Sequence, residues 1–345
     1  MSPEPALLGS LCNTALVKAL LAVLLIVAAD PVMATELGQE PHAVVRGHPP
    51  GGDAEVVALC PDITERSEVF TARDGDGLAG SLARAGYRVY LVDPWSSSQA
   101  QVRGFDAVVR EVYPALLADL ARRGGGGQVT WIGHGLCGFL PVAAAARPDQ
   151  KLPQQRWVAL GTRFSWTLPS PLLLRWLRSW QANEVPLPEL VARLLFTGLR
   201  PRSGPRPSSA PAQLDQARHP AEVLQAVHSA KVARPPPRAL VEDLLRWFEQ
   251  GAARDREGWV DYSTGLASIA AAGLLVAGAS DPLAPPEDVL PALRSLAADS
   301  VTQLLVLSRG NGDLEEYGHL GMLLSRHSAR DVDGSVVQWL RRGRP

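Results

Sequence analysis

From about Glu55 onward the chain alternates short apolar runs with longer amphipathic stretches, and few folds accept that rhythm. The runs "EVVAL" (Glu55–Leu59), "YRVYLVD" (Tyr87–Asp93), "QVTWIG" (Gln128–Gly133), "RWVAL" (Arg156–Leu160), "AGLLVAGA" (Ala272–Ala279) and "TQLLVLS" (Thr302–Ser308) read as strands. Gly77–Gly86, Phe105–Arg123, the small-residue stretch Phe139–Ala146, a segment ending at Leu296 and Val332–Arg342 read as helices. Gly124–Gly127 stops the second of them. Strands that alternate with helices predict a mostly parallel sheet covered by helices on its faces, an α/β fold.

The rhythm breaks between residues 164 and 262. Pro169–Arg200 is rich in Leu and Trp at helical spacing, residues 201–220 are rich in Pro, Ser and Ala, and Ala239–Gln250 is a clear helix. Residues 164–262 are therefore expected to be a helical insertion, with a Pro/Ser-rich loop at 201–220, into a core made of 55–163 and 263–345. Ahead of the core, residues 1–45 hold the run "ALLAVLLIVAA" (Ala19–Ala29) after Lys18. That segment reads either as a signal peptide or anchor, with membrane association through residues 15–29, or as a packed helix. The compartment stays open, the cytoplasm being slightly favoured.

Composition narrows the function. Hydrophobic residues make up 46% of the chain and charged ones 20%, enough apolar side chain to bury a core. A net charge of −1 gives no basis for nucleic-acid binding, which needs clustered Lys and Arg. Cys12, Cys60 and Cys137 form neither a disulfide framework nor zinc-type spacing, and no metal or cofactor is expected.

Parallel sheets of this kind put their chemistry at the carboxyl ends of strands. The first strand is followed by Cys60-Pro61-Asp62, and the third by "GHGLCG", Gly133–Gly138. Asp281 follows the fifth, in "GASDPLAPP", and His319 the sixth, in "EEYGHLGMLL". A strand, a tight Gly-rich turn and a helix make the layout of a nucleophile elbow, which wants Gly-x-Ser-x-Gly. Here Gly135 stands at the serine position and brings no side chain.

An elbow, then Asp, then His is the chain order of an α/β-hydrolase triad. "SLARAGYRVYLVDPW", "VTWIGHGLCG", "LLVAGASDPLAPP" and "YGHLGMLLSRHS…VVQWL" together resemble the α/β-hydrolase superfamily, in its lipase, esterase and polyhydroxyalkanoate-synthase-like branch. The resemblance covers Glu55–Arg342. It implies an eight-strand-like sheet, the insertion as a cap, Asp281 as the acid and His319 as the general base. His134 is then mainly a packing residue, and Leu136 lies in the oxyanion region. Cys60-Pro61 stands where the family's oxyanion turn begins His-Gly. Proline offers no N–H there, and Asp62 would put a negative charge near a developing oxyanion.

Three readings follow from the resemblance. One is a protein degenerate for serine hydrolysis, keeping an acid–His pair and a capped apolar pocket for an apolar or acyl small molecule or a partner. A second is a live ester hydrolase or acyltransferase that uses an activated water in the space at Gly135, or Cys137 as nucleophile. The third is a non-catalytic scaffold. The strands leading to Cys60 and Cys137 would be neighbours in the family's sheet, which leaves a disulfide open for an exported chain. A metal site from Cys60, Cys137 and His319 has weaker support, since no local ligand spacing favours it.

Overall fold

A computed structural model describes residues 54–342, apart from 74–75, 148, 150–153, 168–170, 183–231 and 299. The expectations for residues 1–45, for membrane association through 15–29 and for the loop at 201–220 lie outside the described residues. Among the described residues no helix is long and apolar enough to cross a membrane.

Six strands form one sheet, all parallel: β1 (Val56–Cys60), β2 (Arg88–Leu91), β3 (Val129–His134), β4 (Gln154–Leu160), β5 (Ala272–Gly278) and β6 (Thr302–Leu307), in the order β2-β1-β3-β4-β5-β6. These are the six runs read from the sequence. The count of eight came from the resemblance, and among the described residues the sheet has six.

The inner strands β1, β3 and β5 are buried on both faces, their successive side chains pointing into opposite cores, while the edge strand β6 is mostly half-buried. Ala58, Trp131, Trp157 and Leu275 join one core, and Val57, Ile132, Val158 and Leu274 join the other. Nine α-helices occur among the described residues: α1 (Gly77–Arg84), α2 (Ser98–Ala107), α3 (Tyr113–Arg123), α4 (Leu140–Ala145), α5 (Pro171–Gln181), α6 (Arg238–Gln250), α7 (Pro286–Ser295), α8 (Gly321–Leu324) and α9 (Gly334–Arg342). Leu78 and Leu82 of α1, Leu323 of α8 and Leu340 of α9 pack into the second core. The first takes Leu116 and Leu120 of α3, Leu240 and Trp247 of α6 and Val289 of α7.

The helix expected over Phe105–Arg123 does begin at Phe105, after a break at Gly104 (φ +71°, ψ −151°) that divides α2, and it is interrupted further on. Ser97 caps α2, its hydroxyl accepting the Ala100 N–H at 3.2 Å. A π turn over Val108–Val112 then separates α2 from α3. Tyr113 N–H reaches back five residues to the Val108 carbonyl, and Pro114 has no N–H with which to resume the regular ladder at once.

The segment between β4 and β5 carries α5 and α6, which pack on one another. Their apolar faces meet an aromatic cluster of Phe139, Trp166, Trp247 and Phe248, with Trp166 and Trp247 ring centroids 4.8 Å apart. Leu173, Trp176 and Leu177, in the Leu/Trp-rich part of the insertion, are buried there.

Candidate functional site

The carboxyl ends of β1, β3, β4, β5 and β6 converge on one buried cluster. β3 runs into a tight turn over Gly135–Phe139 and then into α4, the strand–turn–helix path of an elbow. Gly135 sits at φ +56°, a left-handed conformation that side chains other than glycine rarely adopt. Gly161, at the end of β4, has φ +54° and an equally firm packing reason. A Cβ there would lie 2.9 Å from Asp281 Oδ2 and 3.0 Å from His319 Nδ1.

Asp281 and His319 meet as the sequence order suggests. Asp281 Oδ2 stands 2.8 Å from His319 Nδ1. Asp281 Oδ1 accepts the N–H groups of Leu283 and Ala284 at 2.8 and 3.0 Å, which fixes the carboxylate within its own loop. Burial pushes the Asp281 carboxyl up, but the charge and hydrogen bond of His319 and the two backbone donors hold it below the usual carboxylate range.

The position opposite Gly135 is filled. A Cβ added to Gly135 would collide with the Asp62 carboxyl group, which takes the space a nucleophile's side chain would occupy. Asp62 Oδ1 accepts the Leu136 N–H at 2.7 Å, the donor that an oxyanion would need in an active elbow. Asp62 Oδ2 stands 3.6 Å from His319 Nε2, and that ring nitrogen makes no hydrogen bond among the described residues. The imidazole therefore lies between two buried carboxylates. Burial by itself pushes His319 down, but Asp281, through charge and hydrogen bond, and then Asp62 outweigh it and hold the ring well above the ordinary histidine range. Burial likewise pushes Asp62 up, and the proximity of His319, the charge of His134 and the Leu136 N–H hold it below its ordinary value.

This corrects two expectations. The space at Gly135 is not free for an activated water, because Asp62 fills it. Cys137 is no alternative nucleophile, because it is joined to Cys60 in a disulfide with Cα atoms 5.8 Å apart. A disulfide sulfur carries no thiolate with which to attack. The same bond removes both cysteines from any metal site with His319.

The loop bearing Asp62 is held from several sides. Trp95 Nε1 donates to the Pro61 carbonyl at 2.7 Å, and the Cys60–Cys137 bond ties the end of β1 to the elbow. Glu65 Oε2 accepts the Asp62 N–H at 3.1 Å and contacts His134 Nδ1 at 2.8 Å. His134 Nε2 donates to the His319 carbonyl at 3.2 Å, so His134 braces both loops rather than facing a ligand. The His134 and His319 rings lie 4.2 Å apart, centroid to centroid. Glu65, His134 and His319 bring ligand-type atoms within 4.8 Å of one another. Both nitrogens of His134 and Nδ1 of His319 already have partners, so a cation would have to displace those bonds.

Sequence reasoning did not single out Glu65, Thr162 or Arg163. Glu65 had a signal: Asp62-x-x-Glu65 has the spacing in which a Glu side chain reaches back to a turn's first N–H. Thr162 donates to the Gly135 carbonyl at 2.8 Å. Arg163, paired with Asp288 at 2.6 Å and set 5.3 Å over the Phe248 ring, lines the cavity. Burial lowers its pKa against the raising influence of Asp288 and Asp281.

The cluster opens into a cavity with about 530 Å³ of empty space, its mouth included. Asp62, Gly135, Leu136 and His319 form its polar end, and Trp166, Leu173, Trp176, Leu244 and Phe248 of the insertion wall the rest.

No protein-family model matches the chain, and no curated protein matches it in sequence. Solved structures do match. BpoC from Mycobacterium tuberculosis, assigned as a non-heme bromoperoxidase, superposes with TM-score 0.60 at 15% identity, over 89% of this chain and 100% of that one. The chain has the α/β-hydrolase fold. A thermophilic esterase from Thermogutta terrifontis gives 0.53 at 17% identity, over 84% of this chain and 91% of that one. MenH from S. aureus gives 0.53 at 14% identity, over 87% and 97%. Likeness at this level of identity speaks for the α/β-hydrolase fold, and chemistry has to be argued from the site itself.

Proposed function

We propose that this α/β-hydrolase-fold protein does not perform serine-type acyl hydrolysis and uses its insertion-walled cavity to take a small, mostly apolar molecule. One observation carries this reading: the Asp62 carboxylate fills the nucleophile's space and accepts the Leu136 N–H. Acyl transfer by an elbow needs a nucleophile and a free donor for the oxyanion. Gly135 supplies no nucleophile, and the free donor is already used by a group of the same charge as the oxyanion. The cavity wall supports an apolar occupant, since apolar pockets with a few convergent polar groups are the usual form of small-molecule sites.

The test is turnover of chromogenic acyl esters, from acetate to palmitate, by the purified chain beside His319→Ala. Equal background from both is expected. His319-dependent hydrolysis overturns the reading. Occupancy is read separately, from quenching or shift of tryptophan fluorescence on titration with ethylbenzene, because Trp166 and Trp176 line the cavity. No saturable change would remove the pocket half of the reading.

A further inference from the structure

The cluster at the polar end of the cavity does not balance its own charge. Asp62 and Asp281 flank one imidazole, 3.6 Å from its Nε2 and 2.8 Å from its Nδ1. Both carboxyls are held below their ordinary range and the ring well above its own, so two carboxylates share one imidazolium. The negative charge left over is buried, with Asp62 7% exposed and Asp281 and His319 each 2%. Neighbouring groups do not answer it. Arg163, a cation lining the cavity, is taken by Asp288 at 2.6 Å and by the Leu283 carbonyl at 2.9 Å. Glu65 and His134 meet each other at 2.8 Å. Buried charges are costly unless paired, so the surplus points to a counter-charge from outside the chain.

The surplus also has a place. Asp281 uses both oxygens, one on His319 and the other on the Leu283 and Ala284 N–H groups. Asp62 uses Oδ1 on the Leu136 N–H at 2.7 Å. Its Oδ2 takes no hydrogen bond among the described residues and lies at the polar end of the cavity. The unmatched charge and the unused acceptor are therefore the same group. Beyond it the wall turns apolar and aromatic, with Trp166, Leu173 and Trp176 of the insertion. Indole faces attract cations, so this wall suits a positive group as well as a hydrocarbon one.

We propose that the cavity binds a small primary amine in its ammonium form, the charged end on Asp62 Oδ2 and an apolar body against the Trp and Leu wall. The proposal rests on the pocket reading above and names the ligand class of that site. Ligand chemistries can be ranked on the same atoms. A carboxylate is repelled by Asp62. A neutral hydroxyl can donate to Oδ2, but it leaves the cluster's charge unbalanced. An ammonium donates to Oδ2 through a charge-assisted hydrogen bond. It also completes an alternating row of Asp281, His319, Asp62 and ligand, in which Asp62 stands between the two cations. Binding of this kind makes and breaks no covalent bond, so it needs neither a nucleophile at Gly135 nor a free Leu136 N–H.

The experiment titrates the purified full chain at neutral pH with probes that share one frame: 2-phenylethylamine, 2-phenylethanol, ethylbenzene and 3-phenylpropanoate. Binding is read by tryptophan fluorescence and by calorimetry. The amine is expected to bind roughly ten- to a hundredfold more tightly than the alcohol or ethylbenzene, the range for a hydrogen bond to a charged group. 3-Phenylpropanoate should bind most weakly. Asp62→Asn keeps an oxygen for the Leu136 N–H and removes the charge, so the amine should lose its advantage there, with the fold checked by circular dichroism. Should that variant not fold, the wild-type ranking decides alone. An alcohol that binds as tightly as the amine overturns the proposal, and so does an amine advantage that survives in folded Asp62→Asn. Ethylbenzene separates the two claims. If it saturates the cavity and the amine gains nothing over it, the pocket reading stands and the ammonium site falls. If no probe binds, both fall.

Discussion

The two halves of the site are built on different terms. Asp281 and His319 sit on the loops after β5 and β6, and the pair is anchored through Asp281, which its own segment fixes. Asp281 is fixed by the N–H groups two and three residues on, and His319 by the 2.8 Å contact to that fixed carboxylate. The half at β1 and β3 is assembled across the chain. Asp62 reaches the elbow donor 74 residues away, Cys60 is bonded to Cys137 over a separation of 77, and Glu65 reaches His134 over 69. One half keeps the form in which such a pair orients an imidazole, and the other is rebuilt around a carboxylate. A merely decaying site would leave a hole at Gly135. This one is filled, bonded and cross-linked.

The largest effect should come from the residue the halves share. His319→Ala leaves the Asp62 and Asp281 carboxylates buried without their common partner, and loss of one member of a buried charged group costs about 3–5 kcal/mol. Urea unfolding checks this. The pH profile sharpens the point. His319 is raised in the folded state above its ordinary 6.5, so its contribution is fully present below that value and is lost as pH rises through the raised one. Asp62 and Asp281 are lowered from 3.8, so theirs is present above that value and is lost as pH falls through the lowered ones. Stability should therefore hold a plateau between these limits. The alkaline loss should vanish in His319→Gln, and a loss of equal size there would assign it to other groups.

The next effect belongs to the rebuilt half alone. Replacing Cys60 and Cys137 together by Ala removes a bond that closes a long loop, for which about 2–4 kcal/mol is expected. Alkylation of the denatured, unreduced chain, read by peptide mapping, should leave Cys60 and Cys137 unlabelled. Labelling of both would mean that β1 and the elbow are held together by packing only. Such a bond persists in oxidising compartments, so the measurement also bears on where the chain works.

Much of this frame was legible, because its signals are local. Each strand announces itself within eight residues or fewer, Gly135 within a six-residue motif, and Asp281 and His319 by their places after strands. Asp62 was noticed as a charge in the wrong place, and its contact with Gly135 was not, because adjacency of β1 and β3 does not tell which way a loop side chain turns. The disulfide was one option among several for the same reason. The π turn at Val108–Val112 hides inside an apolar periodicity that reads as unbroken helix. Arg163 and Thr162 follow a strand end that carries no motif of its own.

The smallest of these effects tests whether the rebuilt half can be turned back. Gly135→Ser meets two obstacles, the left-handed backbone at φ +56° and the Asp62 carboxyl in the space of its Cβ. Overpacking of this kind costs about 1–3 kcal/mol, read as a lower urea midpoint. Asp62→Gly in the same chain removes the obstructing side chain and frees the Leu136 N–H, so the double variant should regain part of the loss. It would also place a hydroxyl, a free donor and an imidazole without Asp62's charge in one site. A burst of p-nitrophenol from p-nitrophenyl acetate, absent in either single variant, is then expected. If the double variant is as unstable as Gly135→Ser alone, Asp62 is not what excludes a side chain at the elbow, and backbone strain at residue 135 is the larger cost.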